Sequence, residues 1–224
     1  MRSYLTTADV YEILYQAYGP QHWWPSESDF EMIVGAMLVQ NTSWQRVEAA
    51  LEDLRRVGLL TFAALQAVPV EELAEHLRTV GYFRVKARRL KNLLAMIHNE
   101  HAGSLERLFA LPHQELRQQL LAVNGVGPET ADSIVLYGAR QPRFVIDAYT
   151  HRIFARHGWV DYGLNYHDLQ AVFEDSLPAD VQLFNEYHAL LVRLGNQHCR
   201  SRPRCEGCPL QAYLPTTGIC WPDG

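Results

Sequence analysis

All four cysteines of this 224-residue chain stand near its C-terminal end, as Cys199, Cys205, Cys208 and Cys220, with spacing C-x5-C-x2-C-x11-C. Cysteines gathered this way, in a chain whose N-terminal MRSYLTTADVYEILYQAYG carries no export signal, point to metal ligation rather than disulfides. Four thiolates suit structural zinc or a 4Fe-4S cluster, and spacing alone does not choose between them. A second string with chemical potential is Asn124-Gly125-Val126-Gly127-Pro128, set between two apolar stretches. Its two glycines permit the positive φ of a tight reversal, and proline is preorganised for a first helical position. The amides of Gly125, Val126 and Gly127, with the N-terminus of the following helix, would make a site for one backbone phosphate. Asp147, in RFVIDAYTHRIFARHG, follows a short apolar run. Taken alone, such an aspartate is a helix cap. Taken alone, Trp23 and Trp24 are core or a hydrophobic staple before a helix capped by Ser26.

The elements that must position these groups are helical. Apolar residues recur at helical spacing as Val10, Ile13, Leu14 and Ala17, then Val47, Ala50, Leu51 and Leu54, then Leu90, Leu93, Leu94 and Ile97, then Tyr187, Leu190, Leu191 and Leu194. Breaks fall at Gly19-Pro20, Pro25, Gly58, Pro69, Gly81, Gly103, Pro112, Gly125, Gly158 and Pro178, so an all-α chain of about ten helices is expected. With 48% hydrophobic and 20% charged residues the composition is that of a globular protein. No apolar run approaches the ~20 residues that span a bilayer, so no membrane partner and a cytoplasmic location are expected. The net charge of −5 argues weakly against nucleic acid. Its distribution does not, because RVKARRLK from Arg84 to Lys91 and the arginines from Arg193 to Arg204 are basic stretches without an acid among them.

The Gly-Val-Gly turn, the second helix and the Val-Ile-Asp-Ala-Tyr-Thr-His-Arg segment together resemble the helix-hairpin-helix (HhH-GPD) DNA glycosylases, endonuclease III-like with a 4Fe-4S cluster. The string HWWPSESDFEMIVGAMLVQNT and the glutamate at position 129 are similar to the subgroup called 3-methyladenine DNA glycosylase III. The resemblance implies a two-lobed all-α fold. A six-helix barrel would span residues 23–133, with the hairpin at about 111–137. The second lobe would join residues 1–22 to 134–224 and carry the cluster loop, 199–220. It also implies a monomer acting, nucleoid-associated, on double-stranded DNA that contains a damaged base or an abasic site, with the DNA across the groove between lobes.

Residue by residue, the resemblance makes Asp147 the catalytic aspartate and Cys199, Cys205, Cys208 and Cys220 the ligands of an iron-sulfur cluster in preference to zinc. The cysteine spacing departs from the family's C-x6-C-x2-C-x5-C. Trp23, Trp24, Gln40, Asn41 and Tyr82 would form the base pocket and the wedge that fills the gap left by a flipped nucleotide. Lys86, Arg200, Arg202 and Arg204, with the Gly125-Val126-Gly127 turn, would hold the DNA backbone. Members that also nick DNA carry a lysine in the second hairpin helix, where this chain has Glu129. A carboxylate cannot form a Schiff base. The expected activity is therefore hydrolysis of the N-glycosidic bond without strand nicking. The alternatives are a bifunctional glycosylase and lyase acting on oxidised pyrimidines, and a DNA-structure-binding protein with little catalysis.

Overall fold

The computed structural model describes residues 5–222. Residues 1–4 and 223–224, which the sequence reading assigns to the terminal lobe, lie outside the described residues. Among the described residues there are twelve α-helices and no strand. They fall into two compact units. One takes the described residues up to Trp23 and from Pro142 onward; the other is Trp24–Gln141. The boundary expected after residue 133 thus lies further along the chain, because the second hairpin helix runs on through a π-turn, Ile134–Gly138.

The unit from Trp24 holds α2 (Asp29–Leu38), α3 (Trp44–Arg56), α4 (Phe62–Ala67), α5 (Val70–His76), α6 (Phe83–His101), α7 (Leu105–Phe109), α8 (His113–Ala122) and α9 (Pro128–Ser133). Helix α2 is apolar on every side and is buried from Glu31 to Leu38, as a helix without a polar face must be. Its cap is Ser28, not Ser26: the Ser28 hydroxyl accepts from the Glu31 amide at 3.1 Å. Glu31 stands three residues after Ser28, the spacing of a capping box, but its carboxylate turns to Arg55 at 2.9 Å instead of back to the cap. Helix α6 carries the other half of this core on Leu90, Leu93, Leu94 and Ile97, all fully buried.

The unit containing both described termini holds α1 (Thr7–Tyr18), α10 (Ala148–Arg156), α11 (Tyr166–Glu174) and α12 (Val181–Gln197). Phe144 stacks on Phe173 with ring centroids 4.1 Å apart, and Phe184 and Tyr187 meet it edge-on. The fully buried Tyr187 hydroxyl donates to the Thr7 carbonyl at 2.8 Å, tying α12 to α1. Helices α10 and α12 pack unusually close at Gly195, where an added Cβ would lie 2.2 Å from Tyr149 Cδ1 and 2.7 Å from Tyr149 Cβ. The second of those atoms cannot swing away by rotating the side chain. Gly195→Ala is accordingly expected to cost about 1–3 kcal/mol through overpacking, measured as a lowered urea midpoint with an unchanged slope.

Candidate active site

Asp147 is the N-cap of α10. Its Oδ1 accepts from the Thr150 amide at 2.7 Å, so the cap expected of a lone aspartate is real. The second oxygen faces α12: Oδ2 lies 3.6 Å from His188 Nε2, and the two side chains are 9% and 7% exposed. Burial pushes the carboxyl pKa upward, yet the His188 ring and the Thr150 amide outweigh it and hold Asp147 below the ordinary carboxylate value. The result is a buried anion with a fixed rotamer at the positive end of a helix. Sequence reasoning missed His188. The available signal was its position, four residues after Phe184 and three before Leu191, which places a titratable ring on the buried face of α12.

In the other unit, the hairpin is α8, the turn and α9. Gly125 has φ +104°, and an added Cβ there would lie 2.2 Å from Arg89 Cγ. Only glycine fits. Gly127, for which positive φ was also expected, is instead an extended N-cap residue at φ −95° with open space where a Cβ would stand, and no side chain caps the helix behind it. The Val126 amide, expected to face a phosphate, instead donates to the Val123 carbonyl at 3.0 Å within the turn, and Val126 itself is buried. The two arms are clamped by Arg117, whose Nε and Nη2 donate to Asp132 at 2.6 and 3.3 Å. Glu129 is exposed in the first turn of α9, a position that an acid favours through the helix dipole.

Gln40 and Asn41 form the turn between α2 and α3, with Asn41 at φ +54°, a conformation that asparagine tolerates. The Gln40 amide donates to the Gly125 carbonyl at 3.1 Å and to the Thr130 hydroxyl at 3.0 Å, and its oxygen accepts from Arg89 at 2.8 Å. This docks Gln40 on the hairpin. Tyr82 stands 75% exposed at the start of α6 with φ +45°, a strained backbone for a bulky residue. Trp24 packs edge-on against Trp44 and tilted against Tyr137, both at 5.0 Å between centroids. Both Trp23 and Trp24 are half-buried.

Two lysines depart from expectation. Lys86 is only 3% exposed, and its ammonium donates to the carbonyls of Leu38 at 2.9 Å and Val80 at 2.8 Å. Burial lowers its pKa to about 8. It crosslinks the barrel core and offers no charge to a phosphate. Lys91 likewise donates to the Leu65 and Gln66 carbonyls at the end of α4. Lys91 also lines an open basic hollow with Arg88, Arg89, Asn92 and Asn124 of the hairpin turn.

At the C-terminal end, Cys199, Cys205 and Cys208 line one cavity with Arg156, His157, Leu194 and His198; it is partly open to solvent. Cys220 is held beside it: its amide donates to the Arg156 carbonyl at 2.9 Å, and its neighbour Ile219 lines the cavity. Burial pushes the Cys205 and Cys208 thiols up. Among the described residues, no three His, Cys, Asp or Glu side chains are grouped to hold a single metal ion. The buried Arg156 guanidinium donates to Cys199 Sγ at 3.4 Å and to the carbonyls of Arg200 and Ser201. Arg200, Arg202 and Arg204 are exposed on the loop these bonds shape.

Residues 34–179 match the HhH-GPD superfamily of base excision DNA repair proteins. A relative from Methanocaldococcus jannaschii, named "Putative DNA repair glycosylase", is 41% identical over 206 residues, covering 91% of this chain and 93% of its own. This chain is an HhH-GPD protein. Endonuclease III of Sulfolobus acidocaldarius is 28% identical over 186 residues, 82% of this chain and 80% of its own. The crystal structure of H. pylori 3-methyladenine DNA glycosylase bound to 1,N6-ethenoadenine superposes with a TM-score of 0.74 at 25% identity, covering 86% of this chain and 98% of that one. A trapped endonuclease III–DNA intermediate shares the fold, with a TM-score of 0.79 at 23% identity over 92% of this chain and 94% of its own. The family is that of the base excision repair DNA glycosylases, and its all-α fold is the one found here.

Proposed function

We propose that this HhH-GPD protein is a monofunctional DNA glycosylase that hydrolyses the N-glycosidic bond of a flipped, damaged base in double-stranded DNA. The observation that carries the reading is the buried, capped Asp147 carboxylate, together with Glu129 where a Schiff-base lysine would stand. Breaking the bond builds positive charge on the deoxyribose, as in other glycoside hydrolyses. An anion already fixed in place stabilises that charge without having to reorganise, and can orient or deprotonate the attacking water. The departing base takes the bonding electrons, and water supplies hydroxide to the sugar carbon and a proton to the medium.

An alkylated purine suits such a site. Its ring is cationic, so it leaves readily, and an electron-rich indole favours it by about 0.5–2 kcal/mol. Trp24 supplies an indole whose edges are already fixed by Trp44 and Tyr137. The H. pylori 3-methyladenine DNA glycosylase that shares this fold was solved bound to 1,N6-ethenoadenine, which supports a modified purine as the class here. Extruding the base costs a few kcal/mol of stacking; exposed Tyr82 and the Gln40-Asn41 turn would fill the gap. The Gly127 turn at the start of α9 and the exposed Arg200, Arg202 and Arg204 would take backbone phosphates.

Cys199, Cys205, Cys208 and Cys220 are the residues that would hold a 4Fe-4S cluster. An all-sulfur donor set fits it, as do three thiols on one cavity and the Arg156 donor on Cys199 Sγ. When bound, the cluster supplies thiolate crosslinks that fix the basic loop. Bond cleavage stays with Asp147.

Two outcomes are expected. Purified under exclusion of air, the protein should be brown with iron and acid-labile sulfide in equal amounts; colourless protein containing stoichiometric zinc would replace the cluster with a zinc site. On duplexes bearing alkylated, oxidised or deaminated bases, it should release free base while the strand stays intact until alkali is added. Borohydride should trap no adduct on abasic DNA, and a covalent adduct would overturn the monofunctional reading.

A further inference from the structure

The pairing of His188 with Asp147 has a physical rationale beyond packing. The cap geometry of α10 satisfies only Oδ1 of the carboxylate, through the Thr150 amide. A buried carboxyl with one oxygen left to an apolar wall would take up a proton, and a neutral acid would bring no charge to the reaction. The buried face of α12 carries Phe184, Leu191 and Leu194, with Tyr187, whose hydroxyl is bound to the Thr7 carbonyl of α1. At one point that face presents an imidazole, 5% exposed, whose Nε2 lies 3.6 Å from the second oxygen.

Other titratable or charged groups of the helices packed here are engaged elsewhere. Tyr11 of α1 lies against Tyr187, and Glu186 of α12 accepts the Gln21 amide. Arg193 of α12 donates to the Tyr18 carbonyl. On α10 itself, the His151 ring meets the Tyr162 carbonyl and Arg152 donates to the Cys199 carbonyl. His188 is thus the ring that acts on Asp147 from the facing helix. The close approach of α10 to α12 at Gly195 sets the separation of the two.

We propose that His188 is a positioning residue for Asp147, holding the second carboxylate oxygen in place and keeping the group anionic inside the protein. The proposal rests on the reading of Asp147 as the reacting carboxylate. It assigns His188 no contact with the substrate. Its effect is on the charge and aim of the aspartate.

The test compares His188→Phe, which keeps a ring but loses its nitrogens, with His188→Gln, which keeps a polar N–H group. The first readout is the titration of the Asp147 carboxyl carbon by NMR in the free protein, assigned by its disappearance in Asp147→Asn. His188→Phe should raise the Asp147 midpoint by about one pH unit or more, a tenfold or larger change in proton affinity, while His188→Gln should stay nearer the wild type. The second readout is single-turnover base release against pH. The acid limb should move up by the same amount in His188→Phe, with the affinity for abasic DNA unchanged and the rate largely restored in His188→Gln.

An unmoved Asp147 midpoint in His188→Phe overturns the proposal. So does an equal loss of rate in both variants with no shift of the acid limb, the pattern of a residue that only packs. If His188→Phe does not fold, His188→Asn is read by the same two criteria. If wild type and Asp147→Asn release base equally, the catalytic reading of Asp147 fails, whereas the NMR titration still decides the link between the two residues.

Discussion

A carboxylate kept ionised inside the protein is the constraint around which the terminal unit is organised. Desolvating an anion is costly unless dipoles and partners replace the lost water. Asp147 gains the Thr150 amide of α10 on one oxygen and the His188 ring beside the other. Several features of this unit follow from that arrangement. Gly195 lets α10 come close enough to α12 for the two groups to meet, and the stacked Phe144 and Phe173 rings, with the Tyr187 hydroxyl bound to Thr7, hold the frame behind them. Further along α10, Arg152 and Arg156 reach the Cys199 carbonyl and thiol. One helix therefore carries the candidate catalytic group at its start and the anchors of the cysteine loop toward its end.

The hairpin in the other unit depends on a different constraint, a tight turn that must be held rigid. The Val126 amide closes it by donating to the Val123 carbonyl at 3.0 Å. Here the rigidity comes from beneath and beside the turn. Val126 is buried, Arg117 clamps Asp132 between the two arms, and the Gln40 amide bridges the Gly125 carbonyl and the Thr130 hydroxyl. Arg89 completes the set by packing where a Cβ at Gly125 would lie.

The legible parts of the sequence were those in which chemistry and spacing lie within one short string. The four cysteines, the Gly-Val-Gly turn and Asp147 after its apolar run are local patterns, and the helical period with its Gly and Pro breaks yielded the all-α class. What could not be read were pairings between distant segments. Helical periodicity shows that His188 lies on a buried face of α12 but not that α10 covers that face. Lys86 was misjudged because RVKARRLK reads as a charged surface. Yet Lys86 shares the face of Leu90 and Leu93, and the carbonyls of Leu38 and Val80 that it satisfies come from other segments. The cap of α2 was placed one serine too early. Ser28-Asp29-Phe30-Glu31 held the better pattern, obscured by the tryptophans and proline before it.

The most direct measurement is the single-turnover rate of base release by Asp147→Asn on duplex DNA carrying an alkylated purine, with all DNA bound by enzyme. Asparagine keeps the cap of α10 and nearly the same volume while removing the charge. The account expects a fall of about a hundredfold or more, in the range of a lost electrostatic stabiliser, with the affinity for abasic DNA retained. A variant that binds normally and releases base at the wild-type rate would contradict it.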